Sequence, residues 1–322
     1  MISAPFPSGV TVSVPATTAN LGPGFDCLGL ALDLRNELTL QFTGPFLAFD
    51  DAETAYTIHV RGVDAAKVPT DKPNLAVEAV ETIFRHINRR PAAAHLEMVN
   101  CIPVGSGLGS SSSAVVAGLM AANALCDDVV SQEDIMRMAV ALEGHPDNVT
   151  PAILGGLVLG VLPDTTQGPE HLIVRRWEPP ALWAAVVLPD YRLLTTEARA
   201  VLPAAIPRAD AIFNAGRLAL LIEVLTTGAF DQLRAAMGDR LHQPYRLNLI
   251  PGAAAAYDAA YAAGAQGVAL SGAGPSLIAL TQNDPQPVVR AMIDAFGAAG
   301  MDSRSWILKP TTQGAQVVME TG

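Results

Sequence analysis

The sequence has few basic residues and no long hydrophobic run. Of its 322 residues 20 are Lys or Arg, against 31 Asp and Glu, which gives a formal net charge of -11. A nucleic-acid surface needs clustered basic side chains to neutralise phosphates, so this charge argues against one. The most hydrophobic stretch, residues 152–162, contains glycines and is shorter than the ~20 residues that cross a bilayer. We therefore expect neither nucleic-acid nor membrane partners.

Cysteine is also scarce. Cys27, Cys101 and Cys126 are odd in number and far apart, which indicates free thiols in a reducing compartment rather than a disulfide framework. No basic region precedes an apolar one near the N-terminus, so the sequence predicts no signal peptide. Together these absences predict a cytoplasmic protein.

What is present is typical of a folded protein of about two domains. Half of the residues are hydrophobic and 16% are charged, which gives no indication of disorder. The segment 163–169, rich in Pro, Thr and Gly, predicts a boundary between domains at 1–163 and 164–322. Helical and strand patterns are mixed in both halves, which predicts an α+β fold.

Periodicity and turn residues predict the elements of this fold. The predicted strands are 10–14, 37–42, 57–61, 94–102, 156–162, 172–177, 182–188, 267–271, 277–281, 304–308 and 316–319. The predicted helices are 74–88, 114–125, a helix that starts at Ser131 and reaches about 142, 210–225, 230–237, 251–263 and 287–298.

The stretch "PVGSGLGSSSSA", residues 103–114, lies between an apolar strand and an apolar helix. A flexible linker is one interpretation, but linkers of this composition normally join polar ends. Glycines that let the backbone approach a ligand, followed by the free amides of a helix start, favour an anion-binding loop. The loop has no lysine and lacks the third glycine of the dinucleotide fingerprint. Amides, hydroxyls, an arginine or a metal ion must then meet a phosphate's charge, and Mg²⁺ suits that role.

This loop resembles the ATP-binding loop of the GHMP kinases, the family of galactokinase, homoserine kinase, mevalonate kinase and phosphomevalonate kinase. The resemblance implies a two-domain GHMP kinase fold, with an N-terminal domain like domain 2 of ribosomal protein S5 and a ferredoxin-like α+β C-terminal domain. "SGAGPSLIAL", residues 271–280, is similar to the family's C-terminal glycine-rich motif, although a hairpin between strands also explains it. The residues that the resemblance places around ATP are Pro103, Val104, Gly105, Ser106, Gly107, Leu108, Gly109, Ser110, Ser111, Ser112, Gly272 and Gly274.

The stretch "PATTANLGPGFDCLGLALDL", residues 15–34, contains enough turn formers to be an ordinary turn after a strand. It also resembles the N-terminal signature of homoserine kinases within the GHMP family, with Thr18 in place of a serine. "EGHPDN", "TTEARAVLP" and "QPYRLNLIP" resemble further segments of that family, in the same order. The activity implied is ATP-dependent phosphorylation of the side-chain hydroxyl of L-homoserine, a step of threonine biosynthesis.

The resemblance assigns the acceptor site. Homoserine carries an ammonium and a carboxylate, so its pocket needs an acid or amide for the one and guanidinium groups for the other. Without these flanking matches His145 would be a structural histidine, Asn148 a helix cap and the arginines surface charges. The residues that the resemblance places around homoserine are Asn20, Asp26, His145, Asn148, Arg199 and Arg246.

The implied mechanism has no dedicated side-chain base. Where relatives such as mevalonate kinase carry an aspartate this chain has Asn148, and an amide cannot accept the hydroxyl proton. Direct in-line attack then follows, with Asn20 and Asn148 orienting the hydroxyl while loop amides and Mg²⁺ stabilise the developing charge.

The metal ligands and the adenine contact follow from the same resemblance. Ser111 is the first choice for the Mg²⁺-binding serine and Ser110 the second. Family members often carry a glutamate where this chain has Arg137, so the nearest acid, Glu143, is chosen, with Glu133 beyond it. Asn74 is placed beside adenine, with a helix cap as the alternative.

Three broader expectations complete the prediction. The resemblance implies a homodimer. One alternative function is a GHMP kinase for another small hydroxyl compound, and another is a non-catalytic sensor that keeps the fold. A sensor would be expected to lose loop or acceptor residues, whereas this chain retains Gly107, Gly109, Ser111, Asn20 and Asp26.

Overall fold

The computed structural model describes residues 9–50, 53–71, 73–164 and 171–320. Within these residues the strands are, in chain order, β1 (Gly9–Asn20), β2 (Gly24–Ala48), β3 (Ala55–Gly62), β4 (Arg89–Asn100), β5 (Leu157–Val161), β6 (Ile173–Trp177), β7 (Trp183–Pro189), β8 (Gly267–Leu270), β9 (Leu277–Thr281), β10 (Ser303–Leu308) and β11 (Gln316–Glu320). The helices are α1 (Leu75–Ile87), α2 (Ser110–Leu125), α3 (Gln132–Glu143), α4 (Pro146–Leu154), α5 (Thr195–Ala200), α6 (Arg208–Thr227), α7 (Leu233–Ala236), α8 (Gln243–Arg246), α9 (Ala253–Ala262) and α10 (Gln286–Ala298).

These elements confirm the α+β prediction and most of the predicted strands and helices. Two ends differ for a clear physical reason. β2 runs well beyond the predicted 37–42, because it pairs with β1 on one side and with β4 on the other. α2 begins at Ser110 rather than at 114, so the four serines form its first turn. The short helices α4, α5 and α8 are additional to those predicted.

The strands form two sheets. The first has seven strands, with the order β11-β1-β2-β4-β3 and with β5 and β6 attached through β2. The second has four strands in the order β10-β7-β9-β8, all antiparallel. Strands β6 and β11 follow residue 164 but belong to the first sheet. The division at 163 and 164 therefore stays a prediction, and the segment 165–170 lies outside the described residues.

Helices α1, α2 and α4 pack on the first sheet, and α3 packs on these helices. Val115, Val116 and Leu119 of α2 are fully buried in the core that these helices share with β1, β2 and β4. Burial of each such side chain stabilises the fold by about 1.5–3 kcal/mol. α9 and α10 pack on the second sheet, around a separate core that includes Phe296. No helix in the described part of the chain combines the length and the apolar content needed to cross a bilayer.

Candidate active site

The Gly/Ser loop connects β4 to α2 and is held in one conformation. Gly105, Gly107 and Gly109 have φ of 67°, 81° and 72°, in the left-handed region that favours glycine. A Cβ on Gly107 would lie 2.2 Å from the backbone oxygen of Ser271, so the glycine-rich segment of the C-terminal half packs directly on the loop. Because the segment contains the start of a helix, the linker interpretation is wrong.

Hydrogen bonds within the loop support this conformation. The hydroxyl of Ser106, which is buried, donates to the carbonyl of Pro103 at 2.7 Å and accepts from the amide of Leu108 at 3.2 Å. The amide of Thr17 on β1 donates to the Leu108 carbonyl at 3.1 Å. The loop is therefore anchored at its inner side to the strand that leads into the N-terminal signature.

The serines at the start of α2 face an acid. Ser111 and Ser112 donate their hydroxyls to the same carboxylate oxygen, Oε2 of Glu143, at 3.0 and 2.7 Å. Ser113 instead donates to the carbonyl of Ser110 at 2.8 Å, a hydrogen bond typical of a serine near a helix start. Hydroxyls of the first turn of α2 and the carboxylate of Glu143 from the end of α3 thus meet beside the positive end of α2.

This donor set suits Mg²⁺. The ion takes hard oxygen ligands, needs few of them from the protein, and accompanies phosphates. Among the described residues no group of three or more His, Cys, Asp and Glu gathers as a complete metal site. Glu143 and Ser111 line the cavity described below, whereas Glu133 lies in the first turn of α3, outside that lining. Arg137, at the position where relatives often carry the glutamate, pairs with Asp134.

The N-terminal signature forms a turn, and two of its residues, Asn20 and Asp26, line the cavity described below. Asn20 and Asp26 have φ of 71° and 57°, left-handed conformations that few side chains other than Asn and Asp adopt. The amide nitrogen of Asn20 donates to the carbonyl of Gly272 at 2.8 Å, and its oxygen accepts from the Asp26 amide at 2.9 Å. Asn20 therefore connects the turn to the glycine-rich segment of the other half of the chain.

Asp26 and Arg199 form a two-point ion pair. Arg199 on α5 donates from Nη1 and Nη2 to the two carboxylate oxygens at 2.9 and 2.8 Å. This hydrogen bonding raises the pKa of Arg199, against an opposing effect of burial. The pair joins two residues that the sequence assigned to opposite ends of one acceptor molecule.

Arg246 lies beside this pair and is almost fully buried, with 1% of the residue exposed. Its Nε donates to the carbonyl of Ala198, next to Arg199. Burial lowers the pKa of Arg246 to about 10, and the nearby charge of Arg199 contributes in the same direction. A guanidinium whose charge is buried with so few opposite charges beside it favours the binding of an anion in the cavity.

His145, Asp147 and Asn148 lie at the start of α4, where Gly144 ends α3 with φ of 84°. Nδ1 of His145 is 2.6 Å from Oδ1 of Asp147, which is buried. That hydrogen bond raises the pKa of His145, although burial opposes it. The hydroxyl of Thr17 donates to Oδ1 of Asn148 at 2.8 Å and fixes the orientation of its amide.

Asn74 serves the alternative role that its sequence allowed. It caps α1 by accepting from the amides of Ala76 and Val77 at 2.9 and 3.3 Å, and it donates to Pro69. It also lines the cavity, so the cap does not exclude a contact with a base.

A single cavity of about 410 Å³ brings the predicted residues together. Most of them line it: Asn20, Asp26, Asn74, Val104, Gly105, Ser106, Gly107, Gly109, Ser110, Ser111, Glu143, His145, Asn148, Arg199, Arg246, Gly272 and Gly274. Pro103, Leu108 and Ser112 do not contribute to the lining, because they support the loop and its serines from behind.

Sequence reasoning did not assign Lys67 and Asp147, which line the cavity, or Asp64, which pairs with Lys67. Lys67 lines the cavity and pairs with Asp64 at 3.3 Å. Asp64 also accepts a bond from the amide of Val104 in the loop, at 3.2 Å. Lys67 is one of three lysines in the chain and lies just before the segment that carries Asn74. A scarce cation next to a predicted adenine contact is the signal in the sequence that could have identified it.

Comparisons with known proteins identify the family of the chain. The family model "GHMP kinases N terminal domain" matches residues 74–156, and "GHMP kinases C terminal" matches residues 221–299. The homoserine kinase of Microchaete diplosiphon is 45% identical over 314 residues, which cover 97% of this chain and 98% of that protein. The homoserine kinase of Nostoc punctiforme is 44% identical over 310 residues, 96% of this chain and 98% of that one.

Solved structures give the same result. A homoserine kinase from Cytophaga hutchinsonii superposes with a TM-score of 0.83 at 28% identity, covering 99% of this chain and 100% of that chain. The L. major mevalonate kinase, solved in complex with R-mevalonate, has a TM-score of 0.71 at 16% identity, with 96% and 99% of the two chains covered, and shows the shared fold alone. The predicted GHMP kinase fold is confirmed, and the chain belongs to the homoserine kinases of the GHMP kinase family.

Proposed function

We propose that this protein transfers the γ-phosphoryl group of ATP to the side-chain hydroxyl of L-homoserine. One observation carries the proposal: the ion pair of Asp26 and Arg199, with the buried Arg246 beside it, shares one cavity with the Gly/Ser loop. An acceptor with an ammonium and a carboxylate can replace each partner of that pair. Mevalonate and sugars have no ammonium for Asp26 to bind.

The donor end of the cavity is built for phosphates. Gly105 leaves the loop backbone open to the ligand, since a Cβ there would meet nothing within 4 Å. α2 presents its first amides and its positive dipole end. Lys67 supplies a cation near the same end. We assign the nucleotide to this end, with Asn74 on its adenine side.

Ser111 and Glu143 would hold Mg²⁺, which when bound neutralises phosphate charge during phosphoryl transfer. The two side chains are already 3.0 Å apart, so the site needs little rearrangement. Ser110 and Glu133 are the weaker candidates, since the hydroxyl bonded to Glu143 is that of Ser111 and Glu133 is outside the cavity.

At the acceptor end the chain's own residues bind and orient homoserine. Arg246 and Arg199 bind the carboxylate, Asp26 binds the ammonium, and Asn148, fixed by Thr17, orients the hydroxyl. His145 contacts the acceptor from α4, and Asn20 holds the turn that carries Asp26. The homoserine oxygen then attacks the γ-phosphorus in line, the bond from that phosphorus to the bridging oxygen breaks, ADP leaves, and the hydroxyl proton passes to water.

An acceptor screen tests the function. Purified protein with Mg²⁺ and ATP is assayed for ADP release with homoserine, threonine, mevalonate and galactose. Homoserine should give the highest kcat/KM, and the product should be O-phosphohomoserine by mass. ADP release that follows mevalonate or galactose instead would support the other-kinase alternative. ATP binding without ADP release with any acceptor would support the sensor.

Location and assembly belong to the same proposal. The three cysteines form no disulfide, which supports a reducing compartment such as the cytoplasm. Membership of the family supports a homodimer. Sedimentation equilibrium at micromolar concentration would give twice the chain mass of 33.6 kDa for a dimer.

A further inference from the structure

His242 lies behind the acceptor end of the cavity and is completely buried. Its Nε2 is 2.8 Å from the carbonyl oxygen of Gly22, and a carbonyl can only accept, so Nε2 carries the proton. Its Nδ1 is 3.3 Å from Nη1 of Arg246, and a guanidinium can only donate, so Nδ1 carries none. The two neighbours together fix His242 as the neutral tautomer with its proton on Nε2.

The same imidazole stacks on Phe25. The two ring centroids are 5.0 Å apart, with an interplanar angle of 23°. The guanidinium carbons of Arg246 and Arg199 lie 5.0 and 5.7 Å from the Phe25 ring centroid. Phe25 precedes Asp26 in the N-terminal signature, so His242 contacts the turn that holds the acid as well as one of the two arginines.

Asp239 fixes the backbone position of His242. Oδ2 of this buried carboxylate accepts from the backbone amides of His242 and Gln243 at 3.0 and 2.7 Å. Oδ1 accepts from Asn214 of α6 at 2.7 Å. The backbone that begins α8 is therefore anchored on α6, independently of the cavity.

Three charged groups face the imidazole. Asp239 Oδ2 lies 3.5 Å from Nε2, Arg246 bonds Nδ1, and Asp26 acts from the turn. Burial lowers the pKa of His242 below its ordinary 6.5, and Arg246 contributes in the same direction, whereas Asp239 and Asp26 oppose it. A proton added at Nδ1 would point at the guanidinium and remove its acceptor.

We propose that His242 is a positioning residue for acceptor binding: as the neutral Nε2–H tautomer it holds Arg246 toward the acceptor carboxylate and couples that arginine to the turn bearing Asp26. The inference rests on the proposed function, because it takes the acceptor to be an amino acid. It adds to that function a residue outside the cavity that controls the affinity for one substrate and not for the other.

Two half-mimics of the imidazole test the proposal. His242→Asn keeps an acceptor near the position of Nδ1, whereas His242→Gln keeps a donor near Nε2 and loses that acceptor. We expect His242→Gln to raise KM for homoserine about tenfold, the size expected for a lost hydrogen bond to a charged group, with KM for ATP changed less than about twofold. His242→Asn should raise KM for homoserine less than His242→Gln does. His86→Asn, an exposed site at the end of α1, is the control. Equal changes in both KM values, or an Asn variant worse than the Gln variant, would overturn the proposal.

The pH dependence of KM distinguishes a positioning role of His242 from a purely structural one. In the wild type KM for homoserine should rise as the pH falls through the lowered pKa of His242, while KM for ATP stays level. The raised pKa of His145 places the titration of that residue at higher pH, so the two effects are separable. The acid rise should be absent in His242→Asn, which cannot titrate. Persistence of the acid rise in that variant would assign it to another group and contradict the proposal.

A third experiment uses the wild-type protein, so it does not depend on whether the His242 variants fold. Nitrogen-15 NMR of the six histidines, assigned through single substitutions of the other five, reports the tautomer of each imidazole. His242 should be neutral with the proton on Nε2 at neutral pH. An Nδ1–H or cationic His242 would overturn the inference even if homoserine is the substrate. Failure of the wild type to phosphorylate homoserine would instead overturn the proposed function and leave the tautomer as measured.

Discussion

At the scale of single residues, Asp26 and Arg199 neutralise each other before a ligand arrives. The side chains of Asp26 and Arg199 are 32% and 41% exposed, and partly exposed ion pairs of this kind contribute little to stability. Breaking this ion pair when a ligand binds therefore costs little free energy. A molecule with both charges replaces both partners at once, whereas a molecule with one charge leaves the other partner unpaired.

Replacement of Arg199 by leucine tests this view. Arg199→Leu should raise KM for homoserine by roughly tenfold or more, because a charge-assisted bond to the carboxylate is lost and Asp26 is left without its cation. KM for ATP should change much less. Initial rates at varied concentrations of each substrate measure both values. Arg208→Leu, at the exposed start of α6, is the control, and equal losses for both substrates would count against the assignment.

Replacement of Glu143 tests the proposed metal ligand. Glu143→Gln removes the charge but keeps the shape, so Mg²⁺ binding should weaken, and the Mg²⁺ concentration for half-maximal rate should rise about tenfold or more. Glu133→Gln, ten residues earlier on the same helix, is the matched control and should leave it unchanged. If the Glu133 variant shows the larger shift, the choice of acid is wrong.

At the scale of elements, the position of the proposed acceptor residues depends on how closely α4 approaches β2. A Cβ on Gly29 would lie 1.7 Å from the backbone oxygen of Asp147, so only glycine allows this contact. The segment that carries His145, Asp147 and Asn148 is thereby seated directly on the strand of the N-terminal signature. The position of the proposed acceptor site thus depends on a residue with no side chain.

Gly29→Ala should shift α4 and lower kcat, and it should lower the free energy of unfolding by about 1–3 kcal/mol, because overpacking forces the backbone apart. Gly216→Ala is the matched control. A Cβ there meets nothing within 4 Å, and in the interior of α6 it should raise the free energy of unfolding by about 0.5–1 kcal/mol. Urea denaturation measures both. A Gly29 variant as stable and active as the wild type would contradict the close contact.

Local patterns predicted most elements and both helix caps, at Asn74 and Ser131, since a cap depends on the few residues that follow it. They failed where distant segments meet. The amide of Asn20 bonds to Gly272, 252 positions away, and His242 bonds to Gly22, 220 positions away. No periodicity within either segment carries that information. The motifs identified the chemistry of the site, and the fold decided which residues support it.

At the scale of the whole molecule, Asp64 joins the two sheets behind the nucleotide end of the cavity. Its carboxylate accepts from Arg304 on β10 at 3.1 Å, from Lys67 at 3.3 Å and from the amide of Val104 at 3.2 Å. Burial alone would raise the pKa of Asp64, but the bonds from Arg304 and Lys67 outweigh it and hold the pKa below its ordinary value. One carboxylate thus ties the phosphate loop to a strand of the second sheet.

Asp64→Asn should raise KM for ATP several-fold while KM for homoserine changes little, because Lys67 and the loop lose a shared anchor that lies far from the acceptor end. Asp258→Asn, on the exposed side of α9, is the control. Initial-rate kinetics with each substrate varied in turn give the comparison. A selective effect on homoserine instead would separate Asp64 from the nucleotide end.

The pairing of β11 with β1 has a consequence for biosynthesis. β1 is made before the other described strands, but its outer partner β11 is made only after the whole second sheet. Until then β1 has an unpaired edge, the kind of surface on which nascent chains aggregate. Pairing between segments so far apart in sequence also slows folding. We therefore expect the first sheet to close only after the second sheet has been synthesised, and chaperones to be needed most in the interval before it closes.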